Sequence, residues 1–484
     1  MTSRIPLRAE CGSGDHWNRR TLLRAATAGT ISWLTPLATS LSRAAEEAPR
    51  GAPAKSVIVL WMQGGPSQLE TFDPHPNTPI GGETKAIKTS SPGIKIARGL
   101  DQVAEQMEHI ALIRSVVSDQ KDHERATYNA KTGFRPDPTM VHPALGAVVC
   151  HQLTDQLDIP RHISILPNTW PARGGYLGDQ YDAFQVGDPQ KPLPDLTRAV
   201  SQPRSKRRLD DLLDIVEPEF SRGRLPKLDQ QKTLHKVSIH RAIKMMSSEQ
   251  LRAFDVMSVS QNLRNRYGNT PFGRGCQAAC QLIKAGVRCV EVTLGGWDTH
   301  INNHQLQQKR MAILDPAMAT LIDHLKEEGL LEHTIVLWGG EFGRTVYAQG
   351  NPNAFGRDHH PRCFSLWMAG GGVKAGLTHG KTDDYCYNIT ENPVHVHDFH
   401  ATILHCLGID HERLTYRFQG RDYRLAYEAF QVLGCVIDIW PVFHRVAVGR
   451  VCHQQIDSYC EGLPYFAGVA VVDGHRIVGV VRVH

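Results

Sequence analysis

Uninterrupted apolar runs that end at glycines or polar loops constrain the fold of this chain more than any other feature. Residues 57–62 and 334–338 are apolar or β-branched without polar alternation, and a glycine pair follows each run. Runs of this kind are typical of strands that are buried on both faces of a sheet. Similar runs at residues 110–117, 287–294 and 364–368 recur along the chain, and the helical pattern of residues 315–328 separates two of them. The sequence therefore predicts an α/β fold with a largely parallel sheet flanked by helices.

Carboxylates and imidazoles follow several of these runs directly. The carboxyl ends of parallel strands meet at one edge of a sheet, where ligands gather. Carboxylate and imidazole ligands suit Zn, Mn, Fe or a mixed pair. The chain contains no Cys-x-x-Cys pattern, which argues against a structural zinc knuckle. The sequence thus predicts a divalent metal site. The residues in these loops are Glu70, Asp73, Asp122, His123, Asp298, His300, Glu341, Asp358, His359 and His360.

Each of these clusters also has an ordinary structural explanation. A single Asp-x-His on a loop is more often solvated or capping than ligating, and the Arg357 to His360 segment could form a surface turn with an internal ion pair. The occurrence of the same residue types after several strands favours the metal site.

The first 45 residues have the layout of an export signal. Arg19 and Arg20 precede a weakly apolar stretch rich in alanine and threonine, which is typical of a twin-arginine signal peptide. The stretch is shorter than the roughly 18 apolar residues that a spanning helix needs, and no later run reaches that length. We therefore expect export through the twin-arginine route to the periplasm or the exterior, with no integral membrane span in the mature chain.

Composition argues against several other classes of protein. The chain is 41% hydrophobic and 21% charged, which is ordinary for a globular protein. Its net charge is +5, and the basic run at residues 204–208 has no interleaved aromatic residues. We interpret that run as a solvated helix face and expect no nucleic-acid partner. The 11 cysteines show no even disulfide framework.

Two segments depart from the alternation of strands and helices. Residues 185–270 begin rich in proline and charge and continue with helical spacing, which predicts an inserted helical lobe. Residues 426–484 form an atypical C-terminal extension, in which two apolar runs flank an Asp-Gly turn around Asp473 and predict a β-hairpin. That extension is either a small added β unit or the product of a shifted reading frame.

The segment 56–425 resembles the DUF1501 family of bacterial proteins, which is common in planctomycete-type genomes and is similar to a branch of the alkaline phosphatase and sulfatase superfamily. The resemblance implies an alkaline phosphatase/sulfatase-like core. The segments that carry it, in order, are Gly-Gly-Pro-Ser at 64–67, Asp-His-Glu-Arg at 122–125, Gly-Trp-Asp-Thr-His at 296–300, Glu-Phe-Gly-Arg at 341–344, Gly-Arg-Asp-His-His at 356–360 and His-Val-His-Asp at 395–398.

The resemblance implies an exported metal-dependent hydrolase that acts on sulfate or phosphate esters, with sulfated polysaccharides among its substrates. The chain departs from sulfatases because it has no Cys-x-Pro-x-Arg motif, and Gly64 and Gly65 replace the paired aspartates after the first strand. His123 or Ser67 could act as the nucleophile. The expected ligands are Asp298, His300, Glu341, Asp358 and His359, followed by His360 and His397, while His304 and His400 are expected to be structural.

Arginines are the expected partners of an anionic ester. A planar guanidinium can donate two parallel hydrogen bonds to sulfate or phosphate oxygens, which suits Arg125, Arg344 and Arg357. Each could instead orient a neighbouring carboxylate around a metal. A second function stays open for the whole chain, because a fold can lose catalysis and serve as an exported binding or scaffold protein.

Overall fold

The computed structural model describes residues 53–193, 242–349, 354–425 and 433–437, apart from residues 155–156. It also describes the short segments 203–204, 207–208, 211, 469–473 and 476–481. The chain divides into two compact units, Met1–Pro441 and Val442–His484. The predicted signal peptide and half of the predicted insertion lie outside the described residues, so both remain predictions.

The first unit is built from short strands and a few longer helices. Its strands, in chain order, are β1 Ser56–Met62, β2 Ala86–Lys88, β3 Lys95–Ala97, β4 Ile110–Val117, β5 His162–Ile165, β6 Phe184–Val186, β7 Cys289–Leu294, β8 Thr334–Gly339, β9 Gly343–Gln349, β10 Gly356–His360, β11 Phe364–Gly370, β12 Leu377–His379, β13 Lys381–Thr382, β14 Ile389–Glu391, β15 Val394–His395, β16 Thr415–Phe418 and β17 Arg421–Arg424. Its α-helices are α1 Asp101–Glu105, α2 His123–Thr132, α3 Leu145–Gln152, α4 Gln261–Arg266, α5 Pro271–Lys284, α6 Asn303–Glu327 and α7 Val396–Cys406.

Among the described residues, nine strands form one sheet in the order β12-β4-β11-β8-β1-β7-β5-β6, and β15 also pairs with β4. The central strands β8, β1, β7 and β5 pair in parallel. Strand β11 is antiparallel to both β4 and β8, so β4 runs in the same direction as the central strands. The structure therefore confirms the predicted α/β fold and its largely parallel sheet.

The strands form where the sequence has continuous apolar runs. All six residues of β7 and all six of β8 are buried, as is all of β1 except the half-buried Val59. Helix α6 connects β7 to β8 as the predicted crossover. It begins at Asn303, well before the predicted helical pattern of residues 315–328. The predicted strand at residues 364–368 is β11.

The described part of the predicted insertion contains several helical segments. Residue 185 belongs to strand β6, which pairs with β5 at the edge of the sheet. Residues 203–204, 207–208, 211 and 242–246 are helical, and a 3₁₀ helix at Glu249–Phe254 and the short helix α4 follow them.

The second unit contains the predicted hairpin. Strands β18 (Val469–Asp473) and β19 (Arg476–Val481) pair antiparallel, with Asp473 opposite Arg476. In the described part of the chain, the helices are all too short or too polar to cross a membrane.

A buried ion pair attaches helix α2 to the centre of the sheet. Lys131 Nζ, near the end of α2, lies 2.8 Å from Glu291 Oε1 in strand β7 and also donates to the carbonyl of Trp170. The two side chains are only 8% and 5% exposed. Because α2 begins at His123 and β7 leads to Asp298, this pair fixes the helix beside the loop that follows β7.

We expect Lys131→Met to lower the free energy of unfolding by about 3–5 kcal/mol, because it leaves the Glu291 carboxylate buried without its cation. The double variant Lys131→Met, Glu291→Gln should recover most of that loss. Lys381→Met is the matched control, since Lys381 pairs with Glu391 at the surface and should contribute less than about 1 kcal/mol. Urea denaturation of the three variants measures these values, and equal losses at the two lysines would contradict the interpretation.

Candidate metal centre

Four parallel strands deliver their following loops to one edge of the sheet. Gly64 follows β1, His123 follows β4, Asp298 follows β7 and Glu341 follows β8. These strands all run in the same direction, so the four loops meet beyond their carboxyl ends. The convergence that the sequence pattern predicts therefore occurs in the structure.

Glu341 is the buried residue at the centre of this edge. Its side chain has no exposed surface. Oε1 accepts a hydrogen bond from the backbone N–H of Gly64 at 2.8 Å and lies 2.8 Å from His123 Nδ1. Oε2 is buried and has no hydrogen-bond partner among the described residues. A buried carboxylate oxygen without a partner is costly unless a cation or a water completes its coordination.

Gly64 allows two of these loops to approach closely. Its φ of +112° is in a region that favours glycine, and a Cβ at this position would lie 2.4 Å from the backbone nitrogen of Asp298. Gly64 thus supplies a backbone donor to Glu341 and room for the Asp298 loop.

The carboxylate of Asp298 contacts an arginine and three histidines of the site. Its Oδ1 lies 2.9 Å from His300 Nε2, 3.3 Å from His359 Nε2 and 2.6 Å from Arg344 Nη2, while Oδ2 lies 3.3 Å from His123 Nε2. Desolvation on its own would raise the pKa of Asp298. Hydrogen bonds from the surrounding histidines and from Arg344 outweigh that effect and hold the pKa well below its usual value.

Three ligand atoms converge at a spacing that suits one ion. His300 Nε2 lies 3.0 Å from His359 Nε2, so these two atoms and Asp298 Oδ1 form a triangle with sides of 2.9 to 3.3 Å. Atoms bound about 2.1 Å from one ion, at tetrahedral or octahedral angles, lie about 3.0–3.4 Å apart. The donor set therefore fits a divalent cation.

A hydrogen bond at Nδ1 of His359 determines which ring nitrogen faces the cluster. His359 Nδ1 lies 2.7 Å from the carbonyl oxygen of Lys121, and a carbonyl can only accept, so Nδ1 carries the proton. Nε2 is then the ring nitrogen that faces Asp298 and the one that would bind a metal, as in histidines whose other nitrogen is hydrogen-bonded to a carbonyl. The ring also stacks on Phe342, with centroids 4.4 Å apart.

Asp358 lies at the border of the cluster. It could hold an ion together with His300 and His359, since one ligand atom of each lies within 4.8 Å of the others. In this structure Asp358 Oδ1 accepts from the backbone N–H of His359.

His123 is held between two carboxylates. Its Nδ1 faces Glu341 and its Nε2 faces Asp298 at 3.3 Å. Burial alone would lower its pKa, but hydrogen bonds and attraction from both carboxylates outweigh burial and raise the pKa to about 9. At neutral pH, and without a bound cation, the ring is therefore an imidazolium with a proton on each nitrogen.

Two buried arginines orient carboxylates. Arg344 donates to Asp298 and to the carbonyls of Gly64, Gly65 and Arg357. Arg357 forms a two-pronged pair with Glu70, with contacts of 2.8 to 3.2 Å. Neither guanidinium has exposed surface, so the structure favours the orienting role over direct binding of an ester.

Two of the residues expected to act in catalysis lie outside this cluster. Ser67 is fully buried, and its hydroxyl is near the Glu70 carboxylate, where it is not presented to a substrate. Arg125 is exposed on the first turn of α2, and its backbone N–H donates to the Asp122 side chain that caps the helix.

The structure does not bring His360 or His397 into the cluster. Successive side chains of a strand point to opposite faces, so His360 turns away from the side of β10 that carries His359. Its Nε2 hydrogen bonds to the carbonyl of Tyr387. His397 Nε2 bonds to the carbonyl of Gly133, at the far end of the ten-residue helix α2 and about 15 Å from its start. Burial lowers the pKa of His397 to about 4.

The two histidines expected to be structural make contacts of that kind. His400 Nε2 bonds to the carbonyl of Ala130, and His304 stacks on Phe355 with its Nδ1 3.4 Å from Glu70. The backbone groups of Gly64 and Lys121 are the parts of the site that the sequence analysis missed. Only the Gly-Gly pair after β1 signals one of them in the sequence.

The comparison with protein families identifies the chain. A model described as a protein of unknown function, DUF1501, matches residues 54–436. The chain belongs to the DUF1501 family. This match confirms the resemblance seen in the motifs and extends slightly beyond the predicted segment 56–425. None of the curated proteins matches this DUF1501 chain.

Solved structures show distant likenesses to this DUF1501 protein. A PsFucS1 sulfatase from Pseudoalteromonas sp. is 12% identical with a TM-score of 0.35 and covers 79% of this chain and 73% of its own. An alkaline phosphatase from the Antarctic bacterium TAB5 is 14% identical, with a TM-score of 0.32 and coverages of 74% and 99%. The C-terminal periplasmic domain of EptC from Escherichia coli, in complex with Zn, is 9% identical, with a TM-score of 0.35 and coverages of 75% and 85%. Likenesses this distant assign no reaction to this chain.

Substitution of Gly64 tests the close approach of the loops. We expect Gly64→Ala to lower the free energy of unfolding by about 1–3 kcal/mol more than Gly93→Ala does. Gly93 has a similarly positive φ of +84° but nothing within 4 Å of an added Cβ, so it reports the backbone cost alone. Equal values for the two variants, measured by urea denaturation, would show that the approach at Gly64 is not tight.

Proposed function

We propose that this protein is a metal-dependent hydrolase of sulfate or phosphate esters. The observation that carries the proposal is the triangle of His300 Nε2, His359 Nε2 and Asp298 Oδ1, with sides of 2.9 to 3.3 Å. The buried Glu341 Oε2, which has no partner among the described residues, lies in the same cluster and supports it.

Asp298, His300 and His359 would hold the cation, with Asp358 as a further ligand. Nitrogen and oxygen donors suit Zn, Mn or Fe. When bound, a divalent cation acidifies water and stabilises negative charge on an ester oxygen. Arg344 keeps Asp298 in place through its contact at 2.6 Å. The Lys121 carbonyl fixes the ring of His359 at Nδ1.

His123 would donate the proton that the leaving alcohol needs. Both of its nitrogens face carboxylates, which keeps the ring protonated. Its side chain is 23% exposed, so an ester oxygen can reach the ring from the solvent side. With Ser67 buried and His123 protonated, the chain offers neither as a nucleophile, and water is the attacking group in this proposal.

Two features favour an anionic substrate. Helix α2 begins at His123, so its N-terminus, which carries partial positive charge, lies beside the cluster. Arg125 is exposed on the same turn, whereas Arg344 and Arg357 are occupied by Asp298 and Glu70. A sulfate or phosphate ester, such as a unit of a sulfated polysaccharide, has the matching charge.

Metal content and ester turnover together test this function. The full chain, purified without an affinity metal, should contain at least one equivalent of a transition metal by plasma mass spectrometry. It should also hydrolyse an aryl sulfate or an aryl phosphate. His359→Ala should lose both the metal and at least 100-fold of the activity, since one ligand is removed. His360→Gln is the matched control, because a glutamine can still donate to the Tyr387 carbonyl.

Three results would contradict the proposal. One is a folded wild-type protein that neither contains nor takes up metal. Another is His359→Ala with unchanged metal content. A wild-type protein that binds metal through these residues but turns over no ester in a broad screen would indicate a binding protein on the same fold.

The pH dependence tests the role of His123. The pKa of its ring is raised to about 9 without a cation, and a bound cation would lower it. The donor form is therefore present below that pKa and lost above it. We expect turnover of esters with poor leaving groups to fall with rising pH, with an inflection at or below about pH 9. Nitrophenyl esters release nitrophenolate, which needs no proton, so their turnover should show no such fall with pH. The same pH profile for both kinds of ester would exclude His123 as the proton donor.

A further inference from the structure

A second group of metal-binding side chains lies apart from the proposed catalytic cluster. It consists of Asp73, His75, Cys363 and Cys386, which we call the Cys386 cluster. Asp73 and His75 lie in the loop after β1, Cys363 precedes β11, and Cys386 lies in the loop between β13 and β14. The four residues come from three separate loops, and only Asp73 and His75 are neighbours in the sequence.

The Cys386 thiol is at the centre of this group. Its Sγ lies 3.4 Å from Asp73 Oδ2. The thiol of Cys363 and the ring of His75 are both within hydrogen-bonding reach of it. Ligand atoms of Asp73, His75 and Cys386 all lie within 4.8 Å of one another. One sulfur, an imidazole and a carboxylate therefore face one small volume, and the Cys363 sulfur lies beside the Cys386 sulfur.

The volume is shielded from solvent and its residues are already oriented. Both cysteines have no exposed surface, and Asp73 is 4% exposed. Arg114 Nε lies 3.3 Å from Asp73 Oδ1, and the hydroxyl of Thr382 donates to Oδ2 at 2.7 Å. Arg114 thus occupies one carboxylate oxygen and fixes the other towards Cys386. Partners of this kind are usual behind the ligands of a metal.

Backbone conformation gives a further indication. Cys386 has a φ of +52°, which a residue with a side chain rarely adopts. Glycine would suit this position better, and strain of this kind persists where the surroundings hold the residue in place. Burial raises the pKa of the Cys386 thiol well above its usual value, so in the absence of a cation the thiol keeps its proton.

We propose that Asp73, His75 and Cys386 form a structural site for a zinc ion, with Cys363, which lies beside Cys386, as the fourth ligand. Two thiolates, one imidazole and one carboxylate complete the four ligands that structural zinc takes. The soft sulfur donors distinguish this site from the all-nitrogen and oxygen catalytic cluster. Binding would release the thiol protons to solvent, so no oxidant or reductant is needed. The proposal does not depend on the hydrolase function.

A zinc ion here would stabilise the chain segments that carry the catalytic cluster. The Cys386 carbonyl accepts from Gln68 Nε2, and the same nitrogen donates to the carbonyl of Arg344. The next residue, Tyr387, accepts from His360 in strand β10. The loop that carries Cys386 therefore contacts the segments on which Arg344 and His359 lie.

Cobalt titration of the full chain tests this site specifically. Co²⁺ bound to thiolate gives an intense near-ultraviolet charge-transfer absorption, which nitrogen and oxygen ligands do not give. Chelator-treated wild-type protein, kept reduced, should develop this absorption with one equivalent of Co²⁺. His359→Ala, which removes a catalytic ligand, should retain it. The two proposals can therefore fail independently.

The informative variant is Cys386→Gly, which removes the central ligand and suits the positive φ. It should lose the charge-transfer absorption while keeping the wild-type circular dichroism spectrum. Cys435→Ser is the control and should keep the absorption, since Cys435 is an exposed thiol 3.0 Å from His379 Nδ1. Zinc should also raise the Tm of the wild type by more than that of Cys386→Gly, which keeps only the catalytic cluster.

Several results would overturn the proposal. They are the absence of the absorption in wild-type protein, its persistence in Cys386→Gly, or its loss in Cys435→Ser. Peptide mass mapping that finds a Cys363–Cys386 disulfide in protein purified without reductant would also overturn it, because the two sulfurs would then be paired with each other.

Discussion

The candidate site depends on one buried carboxylate. Glu341 follows the central strand β8 and reaches across the sheet edge, where Oε1 meets the backbone N–H of Gly64 and the ring of His123. These groups follow β1 and β4, so a single oxygen joins the ends of three strands. The contact is fully buried, and an unpaired carboxylate there would be costly. The positions of His123 and, through it, of Asp298 follow from this contact.

Much of the fold follows from local sequence patterns. Continuous apolar runs gave the central strands, and the carboxylates and histidines after them indicated the edge where the site forms. Asp298, His300 and Glu341 were identified in this way, because parallel strands bring their carboxyl ends together whatever the spacing along the chain. His359 was identified as well, but it reaches the cluster from the antiparallel strand β10. The predicted hairpin around Asp473 is also present, since Asp-Gly between apolar runs is a local signal.

Interactions between distant segments were not predictable from the sequence. Arg344 and Arg357 looked equally suited to an ester or to a carboxylate, and only the folded chain shows that Asp298 and Glu70 occupy them. His359 and His360 are neighbours, yet one faces the cluster and the other faces Tyr387, because strand residues alternate. Of the Cys386 cluster, the sequence analysis singled out only Asp73, since the members come from three separate loops.

The most direct test of the account is an anomalous-difference map from a crystal of the protein loaded with zinc, with data collected at the zinc absorption edge. The account expects a peak bonded to Asp298, His300 and His359, about 2.1 Å from each ligand atom. An ordered structure with no peak at these three residues, or with their side chains turned apart, would contradict it.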